Sequence, residues 1–279
     1  MAYHGSMNSA LSRPEPGVRA PAVAGMFYPR DAAELSQDLA ELMEQAGDTA
    51  IAPGFPKVLV VPHAGYIYSG PVAASAYDRL RAARGIVTRV VLLGPCHRVP
   101  VRGLALPGAS AFDTPLGRIR IDSASAKAIA GMSQVVESKA AHAMEHSLEV
   151  QLPFLQTVLG EFSLLPVVVG EATPEEVAEV LERLWGGPET LIVISSDLSH
   201  YHSYEDARRI DETTANSIIG LDGRISHEQA CGATPIAGAL LAAKRHGLGA
   251  SLLDLRNSGD TAGSPDQVVG YAALAFTEE

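Results

Sequence analysis

Cysteine, basic charge and long apolar runs are all scarce in this sequence. Of 279 residues only Cys96 and Cys231 are cysteines, so no disulfide framework is implied and a reducing, cytoplasmic setting is the default. Lysine and arginine total 21 against 32 aspartates and glutamates, a formal net charge of −11. That balance argues against nucleic acid or an anionic membrane surface as the main partner, since both require a basic face. The apolar runs are far too short to span a bilayer as a helix. Residues Met1 to Gly17 lack the apolar core of a signal peptide, and Met1 to Met7 reads as a tag ahead of a native start at Met7. Three common site motifs are missing as well. There is no Gly-x-x-x-x-Gly-Lys-Ser/Thr for a P-loop nucleotide site and no Gly-x-Gly-x-x-Gly after the first strand for a dinucleotide. There is also no Gly-x-Ser-x-Gly elbow for a hydrolase serine.

What is present is core-forming: 47% of the residues are hydrophobic. The length suits one large α/β domain or two small ones. No composition break long enough for a linker occurs, and no internal repeat. The expectation is a disordered or tag-like segment over 1–18 and a single domain over 19–277.

Three apolar runs each end in a histidine-bearing turn: Val58 to Val61 before Pro62-His63, Val90 to Leu93 before Gly94-Pro95-Cys96-His97, and Leu191 to Ile194 before Ser195-Ser196-Asp197-Leu198-Ser199-His200. Continuous β-branched and leucine runs of four read as buried parallel strands. In open α/β sheets the ligand crevice lies outside the carboxyl ends of such strands, so His63, His97 and the Asp197/His200 pair are expected at one edge of one sheet.

Helices flank them. Asp31 with Glu34 starts one that carries Leu35, Leu39, Leu42 and Met43 and stops at Gly47. Pro71 to Leu80 and Ser123 to Met132 read as further helices. Glu145 to Leu159 reads as helical, interrupted at Pro153. Thr173-Pro174-Glu175-Glu176 is a strong helix start. Asp206 to Gly220 and Pro235 to His246 read as the last two helices. The stretch Val101 to Ile121 reads as an antiparallel hairpin inserted in the scaffold. The fold class expected is therefore α/β, a central mostly parallel sheet flanked by helices with an antiparallel hairpin insertion.

Two imidazoles at equivalent strand ends, with a third group on a further strand, favour a metal or acid/base site over unrelated strand caps. A His/His/Cys or a His/His/carboxylate ligand set fits, since a catalytic metal needs about three protein ligands and an open position. Asp197 is placed to orient His200 as a general base. Glu145, His146 and Glu149 fall at a helix start, where an acid also serves the helix dipole. His142 is expected in solvent.

These motifs carry a resemblance. Val60-Val61-Pro62-His63-Ala64-Gly65-Tyr66, Leu93-Gly94-Pro95-Cys96-His97, Glu145-His146-Ser147-Leu148-Glu149, Ser195-Ser196-Asp197-Leu198-Ser199-His200 and Cys231-Gly232-Ala233-Thr234-Pro235-Ile236 resemble the MEMO family, in order, over about Arg19 to Thr277. The resemblance implies a LigB-like fold shared with class III extradiol dioxygenases. It implies His63, His97 and Cys231 as ligands of iron or copper, with Asp197 and His200 as catalytic pocket residues. Glu145, His146, Tyr66 and Cys96 are expected to orient those groups or touch substrate. It further implies a redox or undefined enzymatic role, and AMMECR1-like and radical SAM proteins as partners. Two alternatives are kept open. One is a non-haem iron dioxygenase acting on a catechol-like substrate, which a thiolate in place of the usual glutamate argues against. The other is a non-enzymatic module binding a peptide or partner protein.

Overall fold

The computed structural model describes residues 17–47 and 54–278. The segment expected to be tag-like falls outside them apart from its last two residues. In chain order the elements are β1 (Val18–Arg19), α1 (Ala32–Gln45), β2 (Val58–Val61), α2 (Tyr66–Tyr77), β3 (Arg89–Pro95), β4 (Leu104–Leu106), β5 (Ala111–Thr114), β6 (Gly117–Arg120), α3 (Ser123–Ile129), β7 (Val135–Glu137) and α4 (Lys139–Ala143). There follow α5 (Leu152–Leu159), β8 (Ser163–Val169), α6 (Pro174–Leu184), β9 (Thr190–Ser195), β10 (His200–His202), α7 (Tyr204–Ile219), α8 (Ala233–Arg245), β11 (Leu248–Asn257) and β12 (Val268–Glu278). No helix among the described residues is long and apolar enough to cross a membrane.

The main sheet is mixed. Its path is β10-β12-β2-β9-β3-β8-β4-β7, with β11 pairing β12. The centre, β2-β9-β3-β8, is parallel throughout, and so is the edge pair β4–β7. The flanking pairs β12–β2, β11–β12, β10–β12 and β4–β8 are antiparallel. The expected "mostly parallel" sheet is thus corrected to a mixed one, in which antiparallel pairs join the parallel centre to its flanks. The apolar runs mark the centre because both of its faces are covered. Along β2, Leu59 and Val61 enter one core while Val58 and Val60 enter the other, and β9 and β3 alternate in the same way. That is the period of two expected of a strand buried on both sides. The hairpin β5–β6 forms, but in a separate small sheet with β1 rather than at the edge of the main one.

Local signals place most of the helices. The Asp31 carboxylate accepts from the N–H groups of Ala33 and Glu34 at the head of α1. Thr173 and Glu176 form the reciprocal capping box of α6. Two helices differ from expectation. Helix α2 begins five residues before Pro71, because the N–H of Tyr66 is satisfied from elsewhere in the fold, by Phe27 O at 2.8 Å. Pro153 opens α5 rather than interrupting a helix, since a proline in the first turn gives up an N–H that had no helical partner.

Candidate metal centre

The parallel register builds the site. Val61 of β2 lies opposite Ser195 of β9, and Leu93 of β3 lies opposite Ile194. The three strand ends therefore open at one place. The backbone N–H of His63 donates to Asp197 Oδ1 at 2.7 Å, and its ring Nδ1 lies 2.9 Å from Ser195 Oγ. On the neighbouring strand end, the N–H of His97 donates to Glu145 Oε2 at 2.6 Å, and its Nδ1 lies 2.9 Å from Glu145 Oε1.

Glu145 comes from the turn after α4, and the next residue, His146, completes the cluster. The ring centroids of His63, His97 and His146 are separated by 5.3, 5.4 and 4.7 Å. One potential ligand nitrogen from each ring lies within 4.8 Å of the others. His146 Nδ1 is buried without a hydrogen-bond partner, which in a native interior calls for an explanation such as an ion or water. Phe27 packs against the same ring, 4.8 Å between centroids.

Electrostatics favour neutral His63 and His146. Burial, reinforced by the charge of neighbouring histidines, takes His63 down to about 3 and His146 to about 4. Burial opposes ionisation of Glu145, but the hydrogen bond and charge of His97 and the N–H groups of Ser147 and His97 outweigh it and hold the carboxyl at about 2. Burial raises Asp197 above the usual carboxylate range, against the His63 N–H and the nearby imidazoles. Two neutral imidazoles, with an anionic carboxylate behind the third ring, suit a divalent ion.

The expected third ligand is corrected. The cluster capable of holding a metal among the described residues is His63, His97 and His146, not a His/His/Cys set, and neither cysteine belongs to it. Cys231 Sγ does approach His63 Nε2, at 3.4 Å, but it also accepts from the Asp197 N–H at 3.3 Å. Burial and the Asp197 carboxylate push its thiol up to about 12. Cys96 donates its S–H to Val99 O and lies off the cluster.

His200 stands half-buried on β10, near enough for its charge to act on Asp197 and His63. The Asp197 carboxylate serves the His63 backbone and lies 3.9 Å from His63 Nε2. Tyr66 is buried with its hydroxyl donated to Val150 O. A cleft of about 560 Å3 lined by His97, Arg98, Arg102, His227 and Cys231 reaches the centre from the side of His97, the most exposed of the three rings.

Sequence reasoning missed the residues behind the ligands: Ser195, Ser147 and Gln151, all fully buried. Their signal was polarity inside an apolar context, Ser195-Ser196 ending a strand and Gln151 beside Leu152. It also placed His142 in solvent, whereas that ring is 2% exposed with Nε2 2.8 Å from Ala105 O. Burial lowers His142 to about 4, so the unfolded chain binds its proton first. The stability this group contributes is complete above about pH 6.5 and is lost as pH falls from there toward 4, on the order of 3 kcal/mol in all. His142→Gln should flatten that part of the stability-versus-pH curve in urea titrations. A difference curve with no slope between pH 6.5 and 4 would contradict the assignment.

Comparison with known proteins agrees with these motifs. A family model described as Memo-like protein matches residues 19–275. A "MEMO1 family protein" of Ignicoccus hospitalis is 38% identical over 93% of this chain and 98% of its own length. One of Aquifex aeolicus is 39% identical over 93% and 99%, and one of Methanopyrus kandleri 39% over 92% and 98%. A solved structure of an uncharacterized Escherichia coli K12 protein aligns at a TM-score of 0.48 and 12% identity over 78% of this chain and 98% of that one. With the family model matched across nearly all of the described residues and relatives of this similarity aligned end to end, the chain belongs to the MEMO family.

Proposed function

We propose that this protein binds one divalent transition-metal ion through His63, His97 and His146 and uses it for chemistry on a small molecule entering by the His97 cleft. The observation that carries the reading is the buried His146 Nδ1, which has no hydrogen-bond partner and lies 3.5 Å from Glu145 Oε1, beside two imidazoles whose ring nitrogens share a common centre with it. Three imidazoles with an open side are the donor set of a catalytic rather than a structural site. Iron and copper, which the family resemblance implies, both suit imidazole, and so does zinc.

Such an ion, when bound, supplies Lewis-acid polarisation of a substrate or water oxygen. The chain's own residues supply the rest. Glu145 holds His97 at two points, its backbone N–H and its ring Nδ1, and the second contact keeps the ring from rotating away. Asp197 Oδ2, 3.9 Å from His63 Nε2, is the carboxylate oxygen placed to take a proton from a bound reactant. Its elevated affinity for protons suits that task. His200 stands at the rim as the next proton carrier.

Element-specific metal analysis of protein purified anaerobically tests the ligand set. Wild type is expected to carry about one ion per chain, with His63→Ala, His97→Ala and His146→Ala each reducing it at least tenfold and Cys231→Ser leaving more than half. Unchanged content in His146→Ala would remove the three-histidine assignment.

A further inference from the structure

We propose that the turn Glu145-His146-Ser147 sets the tautomers of the other two imidazoles, and that Ser195, acting through Ser147, is the positioning residue that presents the Nε2 lone pair of His63 to the ion. This rests on the metal-binding reading above.

A count of protons carries the argument. A serine hydroxyl has one hydrogen to give and two lone pairs to receive. The carbonyl oxygen of Ser147, 2.6 Å from Ser195 Oγ, can only accept, so it takes the hydroxyl hydrogen. Gln151 Nε2 donates into one lone pair at 2.8 Å. That amide cannot be turned around, because the same nitrogen lies 2.9 Å from Pro62 O, another pure acceptor. Gln151 Oε1 is meanwhile occupied by the Tyr77 hydroxyl at 2.7 Å. One lone pair of Ser195 is left, and among the described residues the group facing it is His63 Nδ1 at 2.9 Å. That nitrogen is therefore the protonated one, and Nε2 carries the lone pair.

The other side of the turn repeats the logic. The N–H of Ser147 donates to Glu145 Oε1 at 3.0 Å, and the same oxygen faces His97 Nδ1 at 2.9 Å. A carboxylate gathering N–H donors in this way can only accept, so His97 Nδ1 donates, and the nitrogen left to face the ion is Nε2. One residue thus serves both rings, His97 through its N–H and His63 through its carbonyl. Its hydroxyl donates to Pro95 O at 3.0 Å, which pins the turn to the end of β3. Gly94 permits this approach, since a Cβ there would stand 2.8 Å from Ser147 Oγ. His146 rides on the same turn, so all three rings are set by one short piece of backbone.

The test is Ser195→Ala with two readouts. Cobalt(II) affinity, measured by competition with a chelator, is expected to fall about 10- to 100-fold, the usual effect of losing an outer partner of a metal-bound histidine. Ser195→Thr, which keeps the hydroxyl, is expected to restore it. Nitrogen-15 NMR of the metal-free wild type is expected to show His63 and His97 both protonated at Nδ1, with His63 losing that preference in Ser195→Ala. The NMR arm needs neither metal nor a stable variant. His63 found protonated at Nε2 in the wild type overturns the inference, as does unchanged cobalt affinity in a folded Ser195→Ala. Absence of cobalt binding by wild type would instead sink the metal reading while the tautomers still decide the hydrogen-bond lock.

Discussion

Glu149→Ala is expected to destabilise the protein by about 3–5 kcal/mol, the cost of stranding a buried charge. The carboxylate is 0% exposed and fully used. Oε2 accepts from Arg19 Nη1 at 2.7 Å and the Ala22 N–H at 2.8 Å, while Oε1 accepts from the Val23 N–H at 2.9 Å and the Tyr28 hydroxyl at 2.7 Å. Its removal orphans four donors at once, one of them a guanidinium with only 8% of its side chain exposed. Arg19 holds further partners, His142 O at 2.7 Å and Glu145 O at 2.8 Å. The N-terminal strap is therefore tied to the same segment that carries His146, and it delivers Phe27 against that ring.

Two measurements follow. Urea unfolding should show a lower midpoint at an unchanged slope, and metal affinity should drop with it because the turn loses its backing. Glu149→Gln keeps the shape without the charge and should fall between wild type and alanine. A loss below about 1 kcal/mol for Glu149→Ala would show the cluster to be a replaceable surface feature.

The parts of this centre that could be read in the sequence are those where burial dictates residue type. The runs ending at Val61, Leu93 and Ile194 are continuous and apolar because parallel central strands are covered on both faces. Their carboxyl ends therefore delivered His63, His97 and Asp197 to one place. His146 escaped the same logic because no strand carries it. It sits in a turn between the short helix α4 and a 3₁₀ segment at Glu149–Gln151. The spacing of Glu145 and Glu149 suggests one helix face, yet one carboxylate holds His97 and the other holds the N-terminal strap. Strand direction was equally hidden: nothing in the alternation of β11 or β12 says whether a neighbour runs with it or against it. Family resemblance brought Cys231 to the right neighbourhood, beside His63, but membership of the cluster depended on distances that only the fold supplies.

Gly270→Ala should be a severely damaging single-methyl addition beside the centre. Gly270 lies on β12, where its carbonyl accepts from the Leu198 N–H and its own N–H donates to Ser199 O, each at 2.8 Å. A Cβ on it would stand 1.9 Å from Asp211 Oδ2. Asp211 belongs to α7, is 2% exposed, and accepts from the Ser199 N–H at 3.0 Å. The methyl group and the carboxylate cannot both keep their places. Either the strand shifts, with two backbone bonds to the Asp197–His200 loop, or Asp211 leaves and Ser199 loses its acceptor. Overpacking together with an unsatisfied buried donor puts the cost at about 2–5 kcal/mol. The two positions must then be coupled. Asp211→Ala alone loses only the acceptor, while Gly270→Ala with Asp211→Ala removes the collision, so the double variant should be more stable than the sum of the singles predicts by at least about 1 kcal/mol. Strict additivity in urea unfolding would mean that the carboxylate yields freely and does not brace the loop.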